Sequence, residues 1–450
     1  MLAAGGFAPR ALDLARAPLD PEAVRSARLI AVSVPMHTAL RIGVAAAARL
    51  RALNPEAFLC FFGLYAWLNA ESLLEGTADA VIGGECDEPL LALARALDRG
   101  PVRAVPGVRR RGSAEPPWLG RPKPPVPARG LLPPLSGYVK IESDGETIVA
   151  GQVESSRGCK HLCRHCPIPP VYGGRFFAVP VATVLADARG QVEAGARHLS
   201  FADPDFLNGP GHALKVARAL HAAHPAVTFD FTAKIEHLVK QRALLPALRD
   251  LGCLFIISAV ESIDDRVLAI LDKGHTRRDV EEVLEATRSA GIALRPTFVP
   301  FTPWTGLEGQ RELIEFLVAR DLVDAVDPIQ MTIRLLLPPG SLLLDHPAMR
   351  PHLGALDAAR FSYEWIHPDP RMDALQRELS RLVETAAVEK TDPRLTFSRI
   401  ASRAGLHPLP TLAPVPHDRD RPPRLTEPWF CCAEPTEDQM DPLRSSEVRV

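Results

Sequence analysis

The sequence predicts an α/β protein in which a small Rossmann-like domain precedes a partial (β/α)6 barrel and a helical, Pro-rich C-terminal region. Three observations predict it. Short apolar runs alternate with Ala- and Leu-rich helical stretches over the first 100 residues. The alternation stops at a segment dense in Pro and Arg, then resumes with a longer period from about Gly151. At 450 residues the chain has room for two or three domains of roughly 150 residues each. The boundaries expected are 1–102 for the first domain, 103–150 for a linker, 151–341 for the barrel, 342–406 for the helical region and 407–450 for a flexible tail.

Taken in order, Leu29–Val34, Phe58–Phe62 and Asp79–Ile82 read as buried parallel strands, with a helix over His37–Leu53 between the first two. The stretch Arg103–Pro134 cannot hold a regular helix, because proline lacks an N–H and clashes with the preceding turn. Six strands follow near Gln152–Ser156, His198–Ala202, Thr228–Thr232, Leu254–Val260, Ala293–Val299 and Pro328–Leu336. Helical stretches such as Val181–Ala194, His212–His221 and Arg278–Ala290 lie between them. In such folds chemistry sits at the C-terminal ends of the strands.

A formal net charge of −2 leaves no basic footprint for nucleic acid or an anionic membrane surface. No apolar run approaches the roughly 20 residues a bilayer span needs, and MLAAGGFAPRALDLARAPLD is not a secretory signal. A cytoplasmic protein is expected, with neither nucleic acid nor membrane as partner. Eight cysteines are too few for a disulfide scaffold. Three of them crowd into residues 159–166, and two are adjacent at Cys431 and Cys432. Cys60, Cys86 and Cys253 stand in apolar contexts and read as small buried hydrophobes.

The crowded trio lies in SSRGCKHLCRHCPIPPVYGGRF, spaced Cys-x3-Cys-x2-Cys. Cys159, Cys163 and Cys166 can converge on one metal centre if the backbone wraps, and Gly158 and Pro167 favour a wrap. A cubane cluster needs four ligands, and no fourth cysteine follows nearby, so one iron would stay open. The other reading is a zinc site closed by His161 or His165. The position directly after the first barrel strand favours the cluster.

This spacing in this position resembles the signature of the radical S-adenosylmethionine (radical SAM) superfamily, over roughly residues 150–340. The resemblance implies that S-adenosylmethionine chelates the open iron and is split by one electron into methionine and a 5′-deoxyadenosyl radical. The residue before the third cysteine, usually aromatic, is His165 here. After the second strand, HLSFADPDFLNG carries Asp203 and Asp205 where relatives hold the cofactor's amino group; a helix cap or turn is the other reading. The fourth strand, FIISAVESIDDRVLAILDKGHT, resembles a pattern of the branch that joins a cobalamin-binding domain to the radical core. By that analogy Ser258 and Glu261 face the cofactor's ribose, with a capping role for Glu261 as the other reading and Gly274 closing the helix. Lys234, Glu236, Arg295 and Arg334 are charges in or beside apolar strands, so each faces the barrel mouth or has a partner. Arg295 joins the expected cofactor-binding set, as a cation for a carboxylate of cofactor or substrate. Trp304 is a candidate cavity wall.

The first domain, with SVPMHTALRI and DAVIGGECDEPLLALARAL, resembles the cobalamin-binding domain of the same branch. It lacks an Asp-x-His-x-x-Gly segment and starts after that domain's expected first strand, so cobalamin stays open as a cofactor. His37 reads as a helix-start residue. The ending EPWFCCAEPTEDQM is similar to the CUAEP/CCAEP-tail group of radical SAM proteins, which carry selenocysteine-cysteine or, as here, Cys431-Cys432. That interchange implies redox or nucleophilic catalysis by the pair, which can cycle between dithiol and a strained disulfide. The function expected is modification of an unidentified small molecule or peptide, with a reductant such as flavodoxin or ferredoxin. A cobalamin-dependent radical methyltransferase and a non-catalytic zinc or iron–sulfur electron-transfer module are the alternatives.

Overall fold

The computed structural model describes residues 1–102, 104–121, 123–143, 145–406 and 421–426. Cys431 and Cys432, and the tail expectation with them, lie outside the described residues.

The first domain is a four-stranded sheet in the order β1 (Leu29–Ser33), β2 (Phe58–Phe62), β3 (Ala80–Ile82) and β4 (Val108–Arg109). β1 to β3 are parallel and β4 is antiparallel to β3. Helices His37–Leu53 and Asp87–Arg99 cover it; the second places Pro89, Leu93 and Ala94 inside and its charges outside. The Pro-rich stretch returns to this sheet at Trp118, whose carbonyl accepts from Glu85 N at 2.7 Å. That approach needs Gly84: at φ 75°, a Cβ there would meet the Trp118 oxygen at 2.2 Å.

The second sheet begins with the hairpin β5 (Lys140–Ser143) and β6 (Glu146–Val153), followed by a small pair, β7 (Ser156–Gly158) and β8 (Phe176–Ala178). Four parallel strands continue it: β9 (His198–Phe201), β10 (Thr228–Thr232), β11 (Cys253–Glu261) and β12 (Ala293–Phe298). Helices Val181–Glu193, Pro210–Ala223 and Arg277–Ser289 lie between them; Thr276 and Asp279 form a capping box on the last. Phe201, Phe229 and Phe231 are buried in the core of this curled half-barrel.

Five of the six expected parallel strands form. The sixth place, expected as a strand over Pro328–Leu336, holds a 3-10 turn at Pro328–Thr332 and one parallel bridge, Phe301 to Arg334. Pro328 brings no N–H to a ladder, and the Gln330 side chain accepts from Phe298 N at 3.0 Å in place of a strand backbone. The C-terminal region adds a hairpin, β13 (Leu353–Asp357) and β14 (Ser362–Trp365), to helices Pro370–Val388 and Pro393–Arg403. A last strand, β15 (Arg424–Leu425), pairs antiparallel with β5 and ends the sheet order β12-β11-β10-β9-β6-β5-β15. Among the described residues no helix is long and apolar enough to cross a membrane.

Candidate functional site

A cavity of about 1070 Å³ opens between the two domains. Ser33, Phe62 and Gly84, at the carboxyl ends of β1, β2 and β3, line one side, and the loop after β7 lines the other with Cys159, Cys163 and Cys166. None of the three cysteines is in a disulfide.

The loop is pinned at several points. Gly158 holds φ 74°, and a Cβ there would lie 2.4 Å from the Arg175 carbonyl, so this position admits no side chain. Lys160 N donates to Asn208 Oδ1 at 3.1 Å, Arg164 N to Leu271 O at 2.9 Å and Cys166 N to Cys163 O at 3.1 Å. Arg157, beside Gly158, binds Glu154 at 2.7 Å and reaches Glu85 (3.1 Å) and Asp87 (2.8 Å) of the first domain. Burial pushes the Cys159 thiol up, so it is protonated until a metal displaces the proton.

The donor set can be tested against the two metals. One zinc at about 2.3 Å from each sulfur would hold the sulfurs roughly 4 Å apart. Among the described residues the trio of candidate ligand atoms that already lies within 4.8 Å of one another is His161, Asp205 and His237. Both candidate closing histidines are engaged. His161 Nε2 lies 3.2 Å from His237 Nε2, and its Nδ1 lies 3.4 Å from Glu236. Burial lowers the His161 pKa to about 4, with Lys234 and His237 adding to it. His165 turns Nε2 to Glu261 at 3.2 Å, and its Nδ1 is buried without a partner among the described residues. The residues present therefore fit a cluster bound by three sulfurs, with a buried polar atom to spare for a bound group.

The residues expected to hold the cofactor separate into two groups. Glu261 and Arg295 line the cavity. Glu261 ends β11 in the left-handed region at φ 69° and also meets Lys273 Nζ at 3.3 Å. Asp203, Asp205 and Ser258 are buried and bonded within the fold, and none lines the cavity. Asp203 accepts from Ser155 N, Ser155 Oγ and Ser156 Oγ at 2.5–2.7 Å. Asp205 caps the turn Phe206–Asn208 and binds His237 Nδ1 at 2.8 Å. Ser258 donates to Ala233 O at 2.7 Å.

Of the other charges, Lys234 lines the cavity and pairs with Glu236 at 3.2 Å. Arg334 pairs with Asp373 and lies 3.5 Å over the Trp365 ring. Trp304 donates to Ala348 O and packs in a core cluster, away from the cavity lining. His37 is buried at a helix start and does not line the cavity. The helix Asp265–Leu271 closes at Asp272, φ 56°, two residues before Gly274. Sequence reasoning missed Arg157, Lys273, Asp327 and Arg424; Lys273, inside the fourth-strand motif, was the one with a readable signal.

The Radical SAM superfamily model matches residues 153–306. An uncharacterised methyltransferase of Pyrococcus horikoshii is 24% identical over 267 residues, 57% of this chain and 55% of its own length. The ribosomal protein uS12 methylthiotransferase RimO of Desulfotalea psychrophila is 27% identical over 180 residues, 38% of this chain and 40% of its own. The chain thus spans about half the length of the curated relatives it matches. Two solved structures share the fold. The cobalamin-dependent S-adenosylmethionine radical enzyme OxsB, with aqua-cobalamin and S-adenosylmethionine bound, has a TM-score of 0.61 at 15% identity, over 84% of this chain and 63% of that one. The radical S-adenosylmethionine methyltransferase TsrM of Kitasatospora setae, with cobalamin and a [4Fe-4S] cluster bound, has a TM-score of 0.52 at 18% identity, over 67% and 62%.

Proposed function

We propose that this chain, whose residues 153–306 match the Radical SAM superfamily, is a radical SAM enzyme in which Cys159, Cys163 and Cys166 hold a 4Fe–4S cluster at the cavity wall. The loop that brings Cys159, Cys163 and Cys166 together on the cavity wall, inside the matched residues 153–306, is the observation that carries this reading. When bound and reduced, the cluster supplies the electron that splits S-adenosylmethionine and so generates a radical able to take hydrogen from a neighbouring molecule.

The chain's own residues hold, orient and shield. Lys273 places a buried cation beside Cys163 and Cys166, opposing the charge that three thiolates bring. Glu261, fixed by Lys273 and His165, presents a carboxylate that can accept from ribose hydroxyls. Asp203, Asp205 and Ser258 serve as positioning residues: they fix the turn before Cys159, the His237 ring and the β10–β11 junction. The molecule acted on is a small molecule or a peptide, the electron donor is a flavodoxin or ferredoxin, and the setting is the cytoplasm. Thr426 lines the cavity only five residues before Cys431, within an extended reach of about 17 Å. Cys431 and Cys432 are therefore proposed as a redox pair that passes two electrons and two protons to the substrate on going from dithiol to disulfide, the external electron donor and two protons restoring the dithiol.

The test is anaerobic reconstitution of the full chain. With dithionite and S-adenosylmethionine it should release 5′-deoxyadenosine, and metal analysis should find roughly four irons and four sulfides per chain. A preparation with full cluster content that never releases 5′-deoxyadenosine, alone or with cell extract, overturns the activity; zinc in place of iron leaves the non-catalytic module.

One observation favours a second reading. The cavity continues to the carboxyl ends of β1–β3, where open α/β sheets bind ligands. Cobalamin bound there would supply a methyl group for transfer, with Ser33, Phe62 and Gly84 on the wall that would hold it. Cobalamin retained through purification, read by its visible spectrum, decides between the two.

A further inference from the structure

We propose that Arg295 anchors a carboxylate of the substrate, so that the molecule acted on is a monoanionic carboxylic acid with an apolar body. The inference rests on reading the cavity as a radical SAM site, and it names what shares that cavity with the cofactor.

The Arg295 side chain is 8% exposed and lies on the cavity wall. One nitrogen, Nη2, meets Asp327 at 3.2 Å. The other, Nη1, is buried with no partner among the described residues. Leaving a buried donor unmatched costs about 1–3 kcal/mol, and more for a charged group. Gln330 Oε1, an acceptor on the same cavity wall, is already engaged, because it takes Phe298 N. An incoming acceptor therefore finds a guanidinium with one side unmet. The planar fork of arginine fits a carboxylate.

The local charges favour a monoanion. Arg295 and Arg424 face Asp327 and Glu142, the latter 2.7 Å from Arg424, all four lining the cavity, and Asp230 acts on Arg295 as well, so the set holds no surplus positive charge. A carboxylate adds one negative charge to such a set; a phosphate dianion adds two. Phe255, Ile257, Ile329 and Val383 line the same cavity and suit an apolar body.

Position separates this anchor from the cofactor's end. Arg295 lies three residues before Phe298, the register partner of Glu261, which places it about 10 Å back along β12. The cysteine end has its own cations: Lys273, acted on by Cys163 and Cys166, and Lys234, which acts on His161. The charges that act on Arg295 are Asp327, Arg424 and Asp230.

The experiment uses the reconstituted full chain and calorimetric titration with matched acid and amide pairs: phenylacetate and phenylacetamide, indole-3-acetate and its amide, octanoate and octanamide. At least one acid should bind wild type about tenfold or more tighter than its amide. R295Q should lose that preference while binding S-adenosylmethionine within about twofold of wild type. D327N, which frees Nη2, should bind the same acid more tightly, and it keeps the test alive if R295Q fails to fold. The proposal is overturned if no pair shows an Arg295-dependent preference, or if R295Q loses S-adenosylmethionine instead. Because no turnover is read, these outcomes are independent of whether the chain cleaves S-adenosylmethionine.

Discussion

Lys273 Nζ stands 3.3 Å from Glu261 Oε1, and with side chains 3% and 10% exposed the two form a buried ion pair beside the cysteine loop. Burial alone would raise the Glu261 pKa, but the Lys273 charge and the His165 hydrogen bond hold it at about 2. Burial works against the charged form of Lys273 too, and Glu261 together with Cys163 and Cys166 outweighs it. Removing one member strands the other. K273M should cost about 3–5 kcal/mol by urea unfolding, and the double variant K273M/E261Q should lose clearly less than the sum of the single variants. Additive losses would show that the pair is not coupled. Glu261 contributes stability above its unfolded value near 4.5, and that contribution fades as pH falls toward about 2.

Replacing Cys159, Cys163 or Cys166 singly by alanine should drop bound iron well below the roughly four atoms expected of the intact chain. H161A and H165A should retain it, because both rings spend a nitrogen on His237 or Glu261. Loss of metal in H161A with retention in H165A would mark His161 as a fourth ligand and close the site.

The strands and the cysteine loop were legible for a simple reason: both are local patterns. Buried parallel strands are continuous apolar runs, and three cysteines within eight residues announce themselves by spacing. Pro328 was the warning against the sixth strand, since it brings no donor to a ladder. Side-chain direction was not legible. Asp203 stands at the expected strand end, yet its oxygens turn to Ser155 and Ser156, a contact set by how the chain folds back after β6. Arg157 carried no signal at all, because its partners Glu85 and Asp87 lie 72 and 70 residues away.

Asp203 should leave a pH signature. Burial raises its pKa from 3.8 to about 6, in spite of hydrogen bonds from Ser155 and Ser156. The folded state thus binds a proton that the unfolded state has released between those values. Its contribution to stability is fully present below the unfolded pKa and is lost as pH rises through about 6, a change of about 3 kcal/mol. The stability of wild type minus that of D203N should therefore fall between pH 4 and pH 6. A flat difference would show that Asp203 titrates normally.

For the tail, C431S should release 5′-deoxyadenosine at the wild-type rate yet fail to complete turnover. The cysteines proposed to hold the cluster are elsewhere in the chain, so cofactor cleavage does not need Cys431. Product formation equal to wild type would remove the redox role of the pair.

Arg157 joins the cysteine loop to the first domain, so its loss should be felt at the seam between the two. Its guanidinium meets Glu85, Asp87 and Glu154, and Tyr172 donates to the other Glu85 oxygen at 3.0 Å. Glu85 is only 3% exposed, and burial already raises its pKa against the pull of Arg157. In R157L the carboxylate keeps Tyr172 alone, a destabilisation of about 3 kcal/mol or more. R157L/E85Q removes the stranded charge and should recover part of the loss. Proteases should cut R157L faster within residues 119–134, after the Trp118 contact and before β5, where the chain passes between the domains. Equal cutting of R157L and wild type would mean that the domain contact stands without this arginine.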